Sequence, residues 1–162
     1  MRLKVFAVAG IGLLAALGMQ PAPARADDNQ VGYYYPKPQV VEHYHARVTT
    51  LPDSDRNRRL AFVIGLSKAN DLKPYPPVYI LFAKGDDAEK LIIVGTTDGQ
   101  LNTVYRSRAL LANLTASARL TDFFQQNAAA EYATFLDFMK LLGFKEVTIT
   151  DGVAFAHQIK VD

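Results

Sequence analysis

The chain has no cysteine in its 162 residues. That excludes thiol nucleophiles, thiolate metal ligands, iron–sulfur clusters, redox pairs and disulfides, so its stability has to come from packing alone. The familiar phosphate and nucleophile motifs are missing too. No G-x-G-x-x-G follows a predicted strand, and there is no P-loop, G-x-S-x-G, S-x-x-K or H-E-x-x-H. Any Ser–His–Asp arrangement would have to draw on one of only three histidines, and nothing local singles out its serine. A large charge of one sign is also lacking: 18 basic residues face 16 acidic ones. What remains is 49% hydrophobic, 21% charged and 10% aromatic, with 10 Gly and 8 Pro. That is the composition of a globular domain, not of a disordered or collagen-like chain.

Residues 1–26 carry the strongest local pattern. Arg2 and Lys4 precede an apolar run of 15 residues from position 5 to 19, and Pro21 and Pro23 then break any helix. Ala24-Arg25-Ala26 places small residues at the two positions a signal peptidase reads, so Ala24 and Ala26 mark the expected cleavage site. The run is short for a spanning helix, which wants about 20 residues. With no cysteine after it, a lipid anchor on cysteine is ruled out. The expectation is an exported, soluble protein in a bacterial periplasm with no stable membrane insertion. Removing the leader leaves 15 basic against 16 acidic residues, a formal charge of −1. A near-neutral surface gives no electrostatic footprint for nucleic acid.

Residues 27–39 read as an extended arm, with Tyr33, Tyr34 and Tyr35 ahead of Pro36 and Pro38. Tyrosine joins apolar area to a polar tip, so this arm is a candidate partner-binding segment. Residues 40–162 read as a single α+β domain. Alternation at 40–51 predicts a strand with Glu42, Tyr44, Ala46 and Val48 on one face and His43, His45, Arg47 and Thr49 on the other. Residues 60–66 form a continuous apolar run, read as a strand covered on both faces, and 78–83 read likewise. Residues 89–94 give a fourth strand. Helical spacing then predicts one helix from an Asn102 cap to about Arg119 and a second over 129–142, ended by Gly143. Asp151-Gly152 between 146–150 and 153–161 predicts a tight hairpin. The expected order is β-β-β-β-α-α-β-β: a mainly antiparallel sheet of about six strands with two helices on one face.

Three constellations could carry chemistry. His43 and His45 share a strand face. With His157 they would offer three imidazoles to zinc or copper if the first and last strands are neighbours. His157 also alternates with Val153, Phe155 and Ile159, which points it at the core. Arg56, Arg58 and Arg59 lie within four residues and could hold an anion or a partner carboxylate, although Asp53 and Asp55 flank them. Arg106 and Arg108 open the first predicted helix, where Arg106 is a further candidate contact for an anion or a partner. They diverge by about 200° and cannot clamp one group together.

Several stretches are similar to one another's counterparts in a known group: Leu51-Pro52-Asp53-Ser54-Asp55-Arg56, Pro74-Tyr75-Pro76-Pro77, Phe82-Ala83-Lys84-Gly85, Glu89-Lys90-Leu91-Ile92-Ile93-Val94-Gly95, Tyr105-Arg106-Ser107-Arg108-Ala109-Leu110-Leu111 and Leu141-Leu142-Gly143-Phe144. From about Arg47 onward the chain resembles small exported alphaproteobacterial proteins of no established activity, some of them labelled molybdopterin-guanine dinucleotide biosynthesis protein A. The nucleotidyltransferase of that label opens on a Gly-rich L-A-G-G-x-S-x-R-M-G loop. This chain has no such loop, so the resemblance implies no catalytic residue. The sequence therefore points first to a non-catalytic periplasmic protein working by contact with a protein partner in the cell envelope. A metal or small-ligand binder using His43, His45 and His157 is the second reading, and a hydrolase with an unrecognised site the third.

Overall fold

The computed structural model describes residues 36–120 and 131–162. The expected cleavage residues Ala24 and Ala26 and the tyrosines Tyr33, Tyr34 and Tyr35 lie outside the described residues. The elements run β1 (Val40–Tyr44), α1 (Arg56–Asp71), β2 (Tyr79–Lys84), β3 (Lys90–Gly95), α2 (Val104–Arg119), α3 (Phe135–Leu141), β4 (Glu146–Thr150) and β5 (Ala156–Val161). The strands form one five-stranded sheet in the order β1-β5-β4-β3-β2. β2–β3 and β4–β5 are antiparallel, whereas β3–β4 and β1–β5 are parallel. The fold is a single α+β domain, as expected, but its sheet is mixed and has five strands where about six were expected.

The main departure is at 60–66, which is helix and not strand. Asp55 caps α1, its carboxylate accepting the Arg58 N–H at 2.7 Å. The inward residues Arg59, Val63 and Asn70 recur at helical spacing, with Phe62 and Leu66 half-buried beside them. A seven-residue apolar run cannot by itself separate a buried strand from a helix segment. Here the run continues into Ser67-Lys68-Ala69-Asn70, all compatible with a helix, and Ile64 is turned to solvent. With a helix between them, β1 and β2 do not pair. β1 lies at one edge of the sheet and β2 at the other.

The main core lies on one face of the sheet, and a smaller cluster of Ile92 and Ala156 with Phe82 and Val94 lies on the other. Leu81, Leu91, Ile93, Val147, Ile149, Ile159 and Val161 project from alternate strand positions against Val63, Leu110, Leu114, Phe135 and Met139 of the helices. The Phe62 ring meets Phe138 edge-on at 5.4 Å and Phe144 at 6.1 Å, which ties α1 to the end of α3. Thr103, one residue beyond the expected Asn102, caps α2. Thr134 and Asp137 form a reciprocal capping box at α3. Gly143 follows α3 at φ +79°, as the sequence suggested, and Phe144 folds back with its N–H on the Met139 carbonyl at 2.9 Å.

The expected tight Asp151-Gly152 hairpin is instead a five-residue loop between Thr150 and Ala156. The Asp151 carboxylate accepts the N–H groups of Val153, Ala154 and Phe155, each at 2.9 Å, and so organises the longer loop. Burial raises the pKa of this carboxyl, but the N–H bonds, that of Phe155 foremost, outweigh it and hold the value below the ordinary range.

Candidate functional site

β1 and β5 are neighbours, as convergence of the histidines required, yet the imidazoles do not meet. The register places Val40 opposite His157 and His43 opposite Lys160. Cross-strand partners share a face and successive residues alternate, so His43 and His157 lie on opposite faces of the sheet. His43 is exposed and its Nδ1 lies 3.1 Å from Asp162. His45 follows on the same outward side and is also exposed. Among the described residues, no three His, Cys, Asp or Glu side chains group so as to hold a metal ion.

His157 is fully buried on the helix side. Its Nε2 lies 3.4 Å from a Glu42 carboxylate oxygen, close enough for the charges to interact, but neither ring nitrogen makes a hydrogen bond. Among the described residues, no serine or threonine hydroxyl bonds the His157 ring. Burial depresses the His157 pKa, and Glu42 only partly offsets this. Glu42 in turn accepts Arg108 Nη2 at 2.6 Å. Burial raises the Glu42 pKa, while the Arg108 hydrogen bond and the His157 charge bring the net value down.

The arginines expected to act together are separated. Arg56 is exposed on α1, and Arg58 pairs with Asp53. Arg59 turns inward and is only 7% exposed. Its Nε donates to the Asp87 carbonyl at 2.8 Å, and its Nη1 to the Leu142 carbonyl at 3.2 Å. Arg106 donates to Asn102 at 3.0 Å and borders a shallow cavity of about 470 Å³ between α2 and the start of β2.

The sequence did not single out Asp137, the most connected polar side chain of the domain. It is fully buried. It accepts the Arg47 N–H at 2.9 Å, the Thr134 N–H at 2.8 Å and the Tyr44 hydroxyl at 2.9 Å. Burial raises its pKa, but these bonds, led by the Arg47 backbone, leave it lowered. The Thr-x-x-Asp spacing at 134–137 was the available signal. Tyr44 ends β1 and Thr134 caps α3, so the carboxylate joins β1 to α3, and Arg47 Nη2 lies 3.3 Å from it.

The remaining candidate is β2, which has a strand neighbour on one side only. The 78–83 segment was expected to be buried on both faces. Tyr79 and Leu81 are buried, but Val78 is 47% exposed and Ile80 42%. The preceding loop adds Leu72 at 85% and Tyr75 at 79%. A groove of about 310 Å³ runs between the end of α1 (Ser67, Asn70, Asp71) and β2. Asn70 Nδ2 donates to the Tyr79 carbonyl at 3.2 Å, holding one main-chain group at the head of the strand. Comparison with known proteins finds no matching family model, no matching curated protein and no matching solved structure.

Proposed function

We propose that this chain is an exported, non-catalytic contact protein of the bacterial cell envelope, and that its protein partner adds an extended segment along β2. The observation that supports this reading most is that β2 has a strand neighbour on one side only and exposes Ile80, with Leu72, Tyr75 and Val78 exposed in the chain leading into it. An edge strand offers main-chain donors and acceptors to any extended chain, and apolar side chains beside it supply affinity. The groove against α1 gives room for alternate side chains of such a segment. The polar side chains with most contacts tie elements together: Asp137 joins β1 to α3, and Glu42 joins β1 to α2 through Arg108.

The test is cross-linking and pull-down from the native envelope with wild type, Ile80→Lys, and a Leu72→Asp/Tyr75→Asp double variant. Loss of the same partner in both variants, with unchanged circular dichroism, supports the reading. Full recovery by both variants removes β2 from it. If the purified chain dimerises and the variants abolish the dimer, the occupant is a second copy and not another protein. Deleting residues 27–39 and repeating the pull-down tests whether the tyrosine arm contributes.

A further inference from the structure

We propose that the cavity around Arg59 binds a small oxyanion of the phosphate type. This site is separate from β2 and does not depend on the reading of β2 as a docking edge. The cavity measures about 230 Å³ and is bordered by Thr50, Arg59, Asp87, Glu89, Lys140 and Lys145, among others. Organic ligands usually occupy pockets of about 300–1,000 Å³, so a compact ion suits this one better.

Arg59 supplies the main argument. It is more than nine-tenths buried, and an arginine keeps its charge at any physiological pH. Every hydrogen bond it makes goes to an uncharged acceptor: the Asp87 and Leu142 carbonyls and, at 3.4 Å, the Ser54 hydroxyl. No carboxylate lies within 4.0 Å of it among the described residues. Nη2 makes no hydrogen bond and is not sealed from solvent, so it is the guanidinium atom left for the cavity. Burying an unpaired charge is costly, and an anion in the cavity offsets that cost.

The surroundings agree in sign. Lys140 and Lys145 border the same cavity, and neither has an acidic partner within 4.0 Å among the described residues. The acidic side chains present are Asp87 and Glu89. Glu89 turns back on its own turn, accepting the Asp87 N–H at 3.1 Å and lying over Gly85. Three of the residues bordering the cavity are basic and two are acidic, and of the acidic pair Glu89 is engaged locally. Gly143 keeps the wall thin. A Cβ there would lie 2.6 Å from both Arg59 Nη1 and Ser54 Oγ and would displace the guanidinium.

The experiment titrates inorganic phosphate into the full mature chain by calorimetry and by ¹⁵N chemical-shift mapping at fixed ionic strength, with acetate as the control anion. Expected is saturable binding with shifts centred on Arg59, Gly143 and Lys145, weakened roughly tenfold or more by Arg59→Lys, which loses the planar fork. Because Arg59→Lys could disturb the fold, a Lys140→Gln/Lys145→Gln variant leaves Arg59 in place and is expected to weaken binding several-fold. Three results overturn the proposal: no saturable response up to about 10 mM phosphate, equal affinity for acetate, or unchanged affinity in the double-lysine variant.

Discussion

The two edges of the sheet are built in opposite ways. Side chains on and beside β1 tie it to its neighbours. Gln39 exchanges hydrogen bonds with Ala156, Glu42 holds Arg108, Tyr44 reaches Asp137, and His43 meets Asp162. At β2, the Asn70 amide holds the Tyr79 carbonyl, Ile80 is exposed, and the chain leading into the strand exposes Leu72, Tyr75 and Val78. Charged and polar side chains are the usual protection of an edge strand against pairing with another chain. Glu42 and His43 on β1 are side chains of that kind, and Ile80 on β2 is not. One edge strand thus carries polar ties to its neighbours and the other carries exposed apolar area, a contrast that supports β2 as the contact edge.

The contrast can be broken most severely at Asp137. Asp137→Ala strands the Arg47 and Thr134 N–H groups and leaves the Tyr44 hydroxyl only its bond to the Thr134 hydroxyl, and is expected to cost about 3 kcal/mol in urea unfolding. The pH dependence has a definite sign. The folded pKa is depressed, so the stabilisation from Asp137 is complete above the ordinary carboxyl value of about 3.9 and is lost as the pH falls through the lower folded value.

A smaller effect is expected at His157. Its folded pKa lies below the unfolded 6.5, so between the two values the unfolded chain holds the extra proton. Stability should therefore fall as the pH drops below about 6.5. The charged groups facing the imidazole are Glu42 on β1 and Arg108 on α2. His157→Leu should remove that slope and change stability at pH 7.5 by less than about 1 kcal/mol, because both ring nitrogens already lack hydrogen bonds. Melting curves across the pH range check both points.

Arg108→Ala opens the exposed pair with Glu42 and should cost about 0.5 kcal/mol. Ile80→Lys should change stability by no more than about 0.5 kcal/mol. It would give β2 the kind of charged protection β1 has, and so sharpen the contrast by abolishing partner recovery while leaving the fold intact.

The parts of the fold legible in the sequence were those set by a single local signal. The face assignment at 42–48 matches the alternating burial there, α2 begins within one residue of the expected cap, and Gly143 ends α3. Where two local signals competed, the pattern was ambiguous. Val63 and Ile64 favour a strand, but Asp55 and the residues after Leu66 favour a helix, and packing against Phe138 and Phe144 decides it. The Asp-Gly pair signalled a tight turn, yet the Asp151 side chain captured three N–H groups instead.

The candidate sites were less legible because they depend on register and on which strand lies at the edge. His43 and His157 do come from neighbouring strands, and only the pairing of Val40 with His157 shows that they face apart. Arg59 looks like its neighbours Arg56 and Arg58 until helical periodicity turns it inward. The apolar composition of 78–83 suggests a central strand, and only the position of α1 in the chain leaves β2 at the rim.

The pairing of β1 with β5 also has a kinetic consequence. Among the described strands the first in the chain pairs with the last, with Gln39 meeting Ala156 across 117 positions of chain. Long-range closure of this kind slows folding. The nascent polypeptide cannot complete this sheet, or shield His157, until β5 has emerged.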